Sequence, residues 1–296
     1  MVDSPAGSAD KNSVAAMISP EDLQLIRNIH LRLGRKVDSP FAGEYKSAFR
    51  GQGMEFEDVR VYIPGDDVRQ IDWNVTARLG VPHIKQYREE REMQLMLVAD
   101  VSASMNFGAT TRDKKKSMAT VVGALAFAAL RSGDRVGMLT FANGVENFSA
   151  PKKGNGHVWS LIRNVFSHST QGKGSTMEEA LKHLDRYCSR KMTLCMVSDF
   201  LFPPCARISV LAQKHTMHAF VIHDPMEDGF QDVGLIDICD SESGERRLVD
   251  ARAWKSQSNV EHRVQQLRKQ GVRVSALSTS EDPIEVILKH FHHFGA

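Results

Sequence analysis

The chain has 296 residues, 42% of them hydrophobic and 25% charged, which is enough apolar material for one large core or two smaller ones. Its 38 basic and 36 acidic residues leave a formal net charge of only +2, which argues against the basic excess of a nucleic-acid binder. No run approaches the ~18 apolar residues of a membrane span, the start "MVDSPAGSADKNS" lacks the marks of a signal peptide, and Cys188, Cys195, Cys205 and Cys239 show no C-x-x-C spacing. The expectation is a cytoplasmic protein with reduced thiols, inserted in no membrane.

Residues 1–18 are small and polar and read as a disordered tail. "SPEDLQLIRNIHLRL" then opens a helix, with Ser19 at the N-cap, Pro20 at the first helical position, and Glu21 and Asp22 in the first turn. Leu23, Ile26, Ile29 (or His30) and Leu33 supply its apolar face. From Pro40 to Glu90 the pattern is irregular. "EFEDVRVYIPGDDVRQIDW" reads as a strand, a Pro64-Gly65 turn and a compact charged loop, and "PHIKQYREEREMQLMLVAD" as two strand-like pieces.

Beyond Asp100 helices and strands alternate. "KKKSMATVVGALAFAALRSG" is a long alanine-rich helix ending at Gly133, followed by strands at "DRVGMLTF" and "VENFSAP". Helices are expected at "GHVWSLIRNVFSH" and "TMEEALKHLDRYCSR", then a buried strand at "KMTLCMVSDF" with its helix at "PPCARISVLAQKH". A strand at "TMHAFVIHD" precedes a hairpin insertion, about 226–254, whose arms flank the turn Glu242-Ser243-Gly244-Glu245. A helix from Lys255 to Gln270, the strand "VRVSALST" and a helix at "PIEVILKHFHHF" complete the order. Such alternation predicts an α/β open sheet, mostly parallel, with helices on both faces.

Within that frame one stretch stands out. "QLMLVADVSASMNFG" buries Leu95 to Ala99, then presents Asp100, Ser102 and Ser104. Taken alone, Asp-x-Ser-x-Ser describes a strand end running into a helix cap. Asp199, however, ends a later strand in the same way, and Thr176 lies on the glycine-containing loop of "GKGSTMEEAL" that opens a helix, with Ser175 as a competing hydroxyl. Ligands of open α/β sheets bind beyond the carboxyl ends of the strands. Three loops therefore bring oxygen-bearing side chains to one edge. An all-oxygen set suits a hard divalent cation such as Mg²⁺, which prefers octahedral oxygens at about 2.0–2.1 Å and keeps some of its waters. Neutral hydroxyls leave such an ion much of its charge, favouring one anionic oxygen from outside.

Asp100-x-Ser102-x-Ser104, followed in order by Thr176 and Asp199, resembles the metal-ion-dependent adhesion site of von Willebrand factor A domains. The resemblance implies Ser102, Ser104 and Thr176 as metal ligands, with Asp100 and Asp199 acting through waters or as supports, and Mg²⁺ (or Mn²⁺ or Ca²⁺) as the ion. "GMEFEDVRVYIPGDDVRQIDWNVTARLG" is in turn similar to the block of the bacterial domain-of-unknown-function family fifty-eight, von Willebrand A-like proteins commonly encoded beside MoxR-type AAA+ ATPases. Together the two resemblances cover roughly Arg50 to Ala296. They imply a Rossmann-like von Willebrand A-type domain over 92–296, preceded by a helix and family-specific extension over 19–91. The implied partner is a MoxR-like AAA+ ATPase, or another protein offering an acidic residue, for which this chain serves as adaptor or co-chaperone. The alternative is a Mg²⁺-dependent hydrolase of phosphate esters. No P-loop is present and no base is stationed near the ion, so binding is preferred to catalysis.

Other charged groups have plainer readings. Asp66, Asp67, Arg69, Asp72 and Arg78 alternate in sign and read as an ion-pair network, and Lys114, Lys115 and Lys116 as a solvated helix end. His290, His292 and His293 are expected to be exposed, and His223-Asp224 lacks a nucleophile to complete a triad.

Overall fold

The computed structural model describes residues 55–88, 93–106, 108, 113–167, 177–227, 235–239, 246–250 and 259–294, with helical positions at Pro20, Gln24, Ile26–Asn28, Leu31 and Tyr45. The predicted tail 1–18 and the turn at 242–245 lie outside the described residues. The chain divides into two compact units, one of residues 49–93 and the other of 1–48 with 94–296.

In the smaller unit β1 (Glu55–Val61) pairs antiparallel with β2 (His83–Arg88), with a register irregularity between Phe56 and Asp58. The loop expected between them contains a helix, α1 (Trp73–Leu79). Its β-branched and aromatic residues are modest helix formers, but its ends are well specified. The Asp72 carboxylate accepts from the backbone N–H of Asn74 and Val75 at 2.9 and 3.2 Å, and Gly80 closes the helix at φ 71°. Asp66 takes both Arg60 guanidinium nitrogens at 2.7 Å and the Ile63 N–H at 2.9 Å. The charged cluster is thus engaged in pinning its own turns, but with Arg60 and Lys85 as its cations.

The larger unit carries a six-stranded sheet: β3 (Gln94–Asp100), β4 (Arg135–Phe141), β5 (Val145–Lys152), β6 (Thr193–Ser198), β7 (Thr216–His223) and, after the hairpin of β8 (Leu235–Cys239) and β9 (Arg246–Asp250), β10 (Arg273–Ser278). The spatial order is β10-β7-β6-β3-β4-β5, parallel throughout except for β5, which runs antiparallel to β4. Between these strands run α2 (Lys114–Ser132), α3 (Asn155–Ser167), α4 (Met177–Tyr187), α5 (Arg207–Lys214) and α6 (Val260–Lys269), and α7 (Pro283–Phe294) follows β10. The α/β open sheet predicted from the alternating pattern is therefore observed.

Strand alternation divides the core between two faces. Met96, Val98, Leu139, Phe141, Leu194, Met196, Ala219 and Val221 join Leu181 of α4, Leu211 of α5 and Leu267 of α6 in one apolar cluster. The intervening residues, Leu95, Leu97, Met138, Cys195, Val197 and Phe220, are as completely buried. Burial on both faces explains why β3 and β6 read as unbroken apolar runs. Helix α2 is packed nearly all round, with 14 of its 19 residues buried, which its alanines permit. It ends where expected, on Gly133 in the left-handed region at φ 77°.

Three expectations are corrected. The helix placed from Lys255 starts at Val260, because Asn259 is extended and its side chain caps the N–H of His262. His290 is not exposed. It is buried under β7 and β10, with Nε2 2.8 Å from Nδ1 of His218 and Nδ1 2.7 Å from the Ser275 hydroxyl. Lys114 is not a solvated helix end either, being 1% exposed. Cys188, Cys195 and Cys205 are free and buried. Among the described residues no helix is long and apolar enough to cross a membrane.

Candidate functional site

The sheet reverses its direction of growth at β3. From there the chain first adds β4 and β5 on one side, then returns to place β6, β7 and β10 on the other. Beyond the carboxyl ends of β3 and β6 the departing loops must diverge, which opens the crevice where α/β sheets place their ligands. Asp100 is the last residue of β3, and Asp199 directly follows β6.

The two strand ends are tied together. The Ser198 hydroxyl donates to one Asp100 oxygen at 2.6 Å, and the Ser102 N–H donates to the other at 2.9 Å. Asp100 is fully buried, and burial followed by the nearby Asp199 charge pushes its carboxyl up to about 6 against the pull of these bonds. A 3-10 turn, Ala103–Asn106, follows at once, with the Met105 N–H on the Ser102 carbonyl at 3.1 Å. That tight turn carries Ser104 back, so the hydroxyl oxygens of Ser102 and Ser104 lie 3.1 Å apart. Two ligands about 2.0–2.1 Å from an ion at adjacent corners of an octahedron are about 2.9 Å apart, so the pair fits such a shell.

Asp199 is differently placed. One oxygen accepts the Leu201 N–H at 3.2 Å, and the other faces Nζ of Lys114 at 3.0 Å, with both side chains 2% exposed. Phe200, next to it, has φ 54°, a left-handed backbone unusual for a bulky residue, while its N–H donates to Ser198 at 2.9 Å. Lys114 also pairs with Glu227 on the 3-10 turn Pro225–Glu227. Arg263 of α6 reaches the Asp199 carbonyl and lies 3.7 Å from the Glu227 carboxylate. Asp199 and Glu227 thus face Lys114, and Arg263 lies beside Glu227.

The structure therefore gathers Asp100, Ser102, Ser104 and Asp199 at one point. Thr176 and its competitor Ser175 lie outside the described residues; Met177, the next residue, is buried as the first of α4. Asp100, Ser102 and Ser104 fit a hydroxyl-led cation shell, whereas Asp199 already faces an ammonium. Among the described residues, no three or more His, Cys, Asp or Glu side chains are grouped to hold a metal ion. Ser198, Glu227 and Arg263 were not singled out from the sequence, and Lys114 was read there only as part of a solvated helix end. For Lys114 a signal existed: a lysine at the start of a helix opposes the helix dipole and calls for a local carboxylate. Asp224, beside His223, is occupied by the Thr279 hydroxyl at 2.7 Å and the Met226 N–H at 3.0 Å.

The family described as Protein of unknown function DUF58 matches residues 58–270. Two proteins described as uncharacterized, from Mycobacterium tuberculosis (strain ATCC 25618 / H37Rv) and Mycobacterium bovis, are each 31% identical over 230 residues, covering 76% of this chain and 72% of the relative. Among solved structures, the conserved hypothetical protein BatB from Bacteroides thetaiotaomicron is similar at 14% identity and a TM-score of 0.47, over 68% of this chain and 98% of that one. The SpRpn10 VWA domain is similar at 10% identity and a TM-score of 0.39, over 69% and 95%.

Proposed function

The chain belongs to the DUF58 family, and from that premise we propose that it is a protein-interaction module that docks an acidic partner through a divalent cation, without turning over a substrate. The observation that carries this reading is the Ser102–Ser104 hydroxyl pair, 3.1 Å apart at the point where the sheet reverses. Ser102, Ser104 and Thr176 would hold the ion, with Asp100 behind them. Bound there, Mg²⁺ or Mn²⁺ supplies an electropositive point for a carboxylate from outside.

The chain's own residues prepare that point. Asp100 has both oxygens engaged by neutral donors, Ser198 and the Ser102 N–H, which fix it as a support without cancelling its charge. The 3-10 turn holds the two hydroxyls in register before any ion arrives, so little ordering remains to be done on binding. The family resemblance supports a MoxR-type AAA+ ATPase as the partner, with this protein as adaptor or co-chaperone.

Calorimetric titration of Mn²⁺ into the full chain tests the site, with Asp100→Ala and Ser104→Ala losing most of the affinity. Capture of a purified MoxR-type ATPase from the same genome should require Mg²⁺ and disappear in chelator. Asp100→Ala titrating like the wild type, or capture that ignores chelator, would refute the reading.

A further inference from the structure

Resting on that reading, we propose that Lys114 is a built-in counter-cation: it occupies Asp199, keeps that carboxylate out of direct coordination and sets how weakly the site holds its divalent ion. Glu227 is the counterweight that draws part of the ammonium's attraction away from Asp199.

The placement of Lys114 is costly in three respects. It is the first residue of α2, where the helix dipole disfavours a cation. Its side chain is 2% exposed, and a buried ammonium is tolerated only when paired. Its neighbours Lys115 and Lys116 are only partly buried, so the lysine run itself does not require this burial. What offsets these costs is specific. Asp199 lies on one side at 3.0 Å, and Glu227 lies on the other. The Leu201 N–H takes the remaining Asp199 oxygen at 3.2 Å. Both oxygens of Asp199 are thereby engaged, one of them by a full positive charge. Asp100, one strand away, takes only neutral donors among the described residues. The two aspartates of the motif therefore differ in kind, one left with its charge and one neutralised.

The consequence is a sign that a purely structural lysine would not give. A unit charge beside a divalent ion repels it, so removing that charge should tighten binding by about tenfold or more. Removing the charge of Glu227 should act in the opposite direction. The ammonium's pull on Asp199 is then less opposed, the site loses a negative charge, and the ion is held less well. Lys114 is thus a positioning residue acting through Asp199.

The test is Mn²⁺ titration by calorimetry on full-length wild type, Lys114→Met and Glu227→Gln, with circular dichroism and melting temperature recorded in chelator and in Mn²⁺. The proposal expects Lys114→Met to bind about tenfold tighter and to gain more in melting temperature from Mn²⁺ than the wild type does. It expects Glu227→Gln to bind several-fold more weakly. A folded Lys114→Met with unchanged or weaker affinity overturns it. Should Lys114→Met not fold in chelator, recovery of its dichroism on adding Mn²⁺ supports the proposal, and Glu227→Gln binding at least as tightly as wild type overturns it. A wild type that binds no Mn²⁺ brings down the docking reading and this inference together; a wild type that binds, with Lys114→Met unchanged, brings down this inference alone.

Discussion

The hydroxyl of Ser198, closing β6, donates to Asp100, closing β3, at 2.6 Å across two strands that adjoin only because the sheet reverses between them. The bond is buried at both ends and its acceptor is a carboxylate, so little water is on hand to replace it. Ser198→Ala should therefore lower unfolding stability by about 1–3 kcal/mol. Urea denaturation near pH 7 would show this as a lower midpoint with unchanged slope. A midpoint equal to wild type would mean that the strand ends are held together by packing alone.

The His218–His290 pair sets a pH dependence. Burial, followed by the Arg273 and His293 charges, brings His290 down to about 3, and burial, followed by His290 itself, holds His218 well below its ordinary value. In the unfolded chain both take a proton near 6.5. Between that value and about 3 the unfolded state binds more protons, so stability falls as the pH is lowered, by up to ~1.4 kcal/mol per pH unit for each histidine. Urea midpoints from pH 7.5 to 5 should decline in the wild type, and less steeply in His290→Gln. Parallel declines in the two proteins would contradict this.

Burial also governs the thiols. It is the first cause raising Cys188 and Cys205 to about 11, and it pushes Cys195 higher still. At pH 8 a thiol near 11 is ~0.1% thiolate, some 10²-fold less than an ordinary cysteine. Maleimide labelling followed by peptide mapping should leave these three unmodified in the native protein and modify them in urea. Rapid native labelling of Cys195 would show that the sheet opens readily.

Gly137 on β4 has no room for a side chain. A Cβ there would lie 2.7 Å from the Pro151 nitrogen and 2.7 Å from the Ser149 carbonyl oxygen, both backbone atoms of β5. Gly137→Ala should cost about 1–3 kcal/mol by forcing β5 away. Gly144→Ala, where a Cβ meets nothing within 4 Å, should shift stability by about 0.5 kcal/mol or less. Thermal melts of the pair decide, and equal losses would refute the argument.

How much was legible follows from how local each cause is. The run Leu95–Ala99 announced a strand buried on both faces, and Gly133 announced the end of α2, because period and cap are written in adjacent residues. The caps of α1, Asp72 and Gly80, were equally local, yet the modest helix propensity between them favoured a loop reading. Lys114 and His290 were misplaced because their burial is decided elsewhere. Lys114 is buried by carboxylates on the loops after β6 and β7, and His290 by His218 and Ser275 on two separate strands. Composition describes a lysine run as wet, and only the fold shows which lysine turns inward. Asp100, Ser102, Ser104 and Asp199 could be placed together because strand ends of an open sheet share one edge, whereas the ammonium beside Asp199 was announced only by a lysine opening a helix.

One feature of β5 bears on how copies of this chain behave when concentrated. Its register against β4 slips between Val136 and Met138 and again between Thr140 and Phe141, and it carries Pro151, which has no N–H to give. A border that bends twice and lacks a donor is a poor template for an incoming strand. Runaway stacking into fibrils is discouraged along that flank by backbone geometry, independently of surface charge.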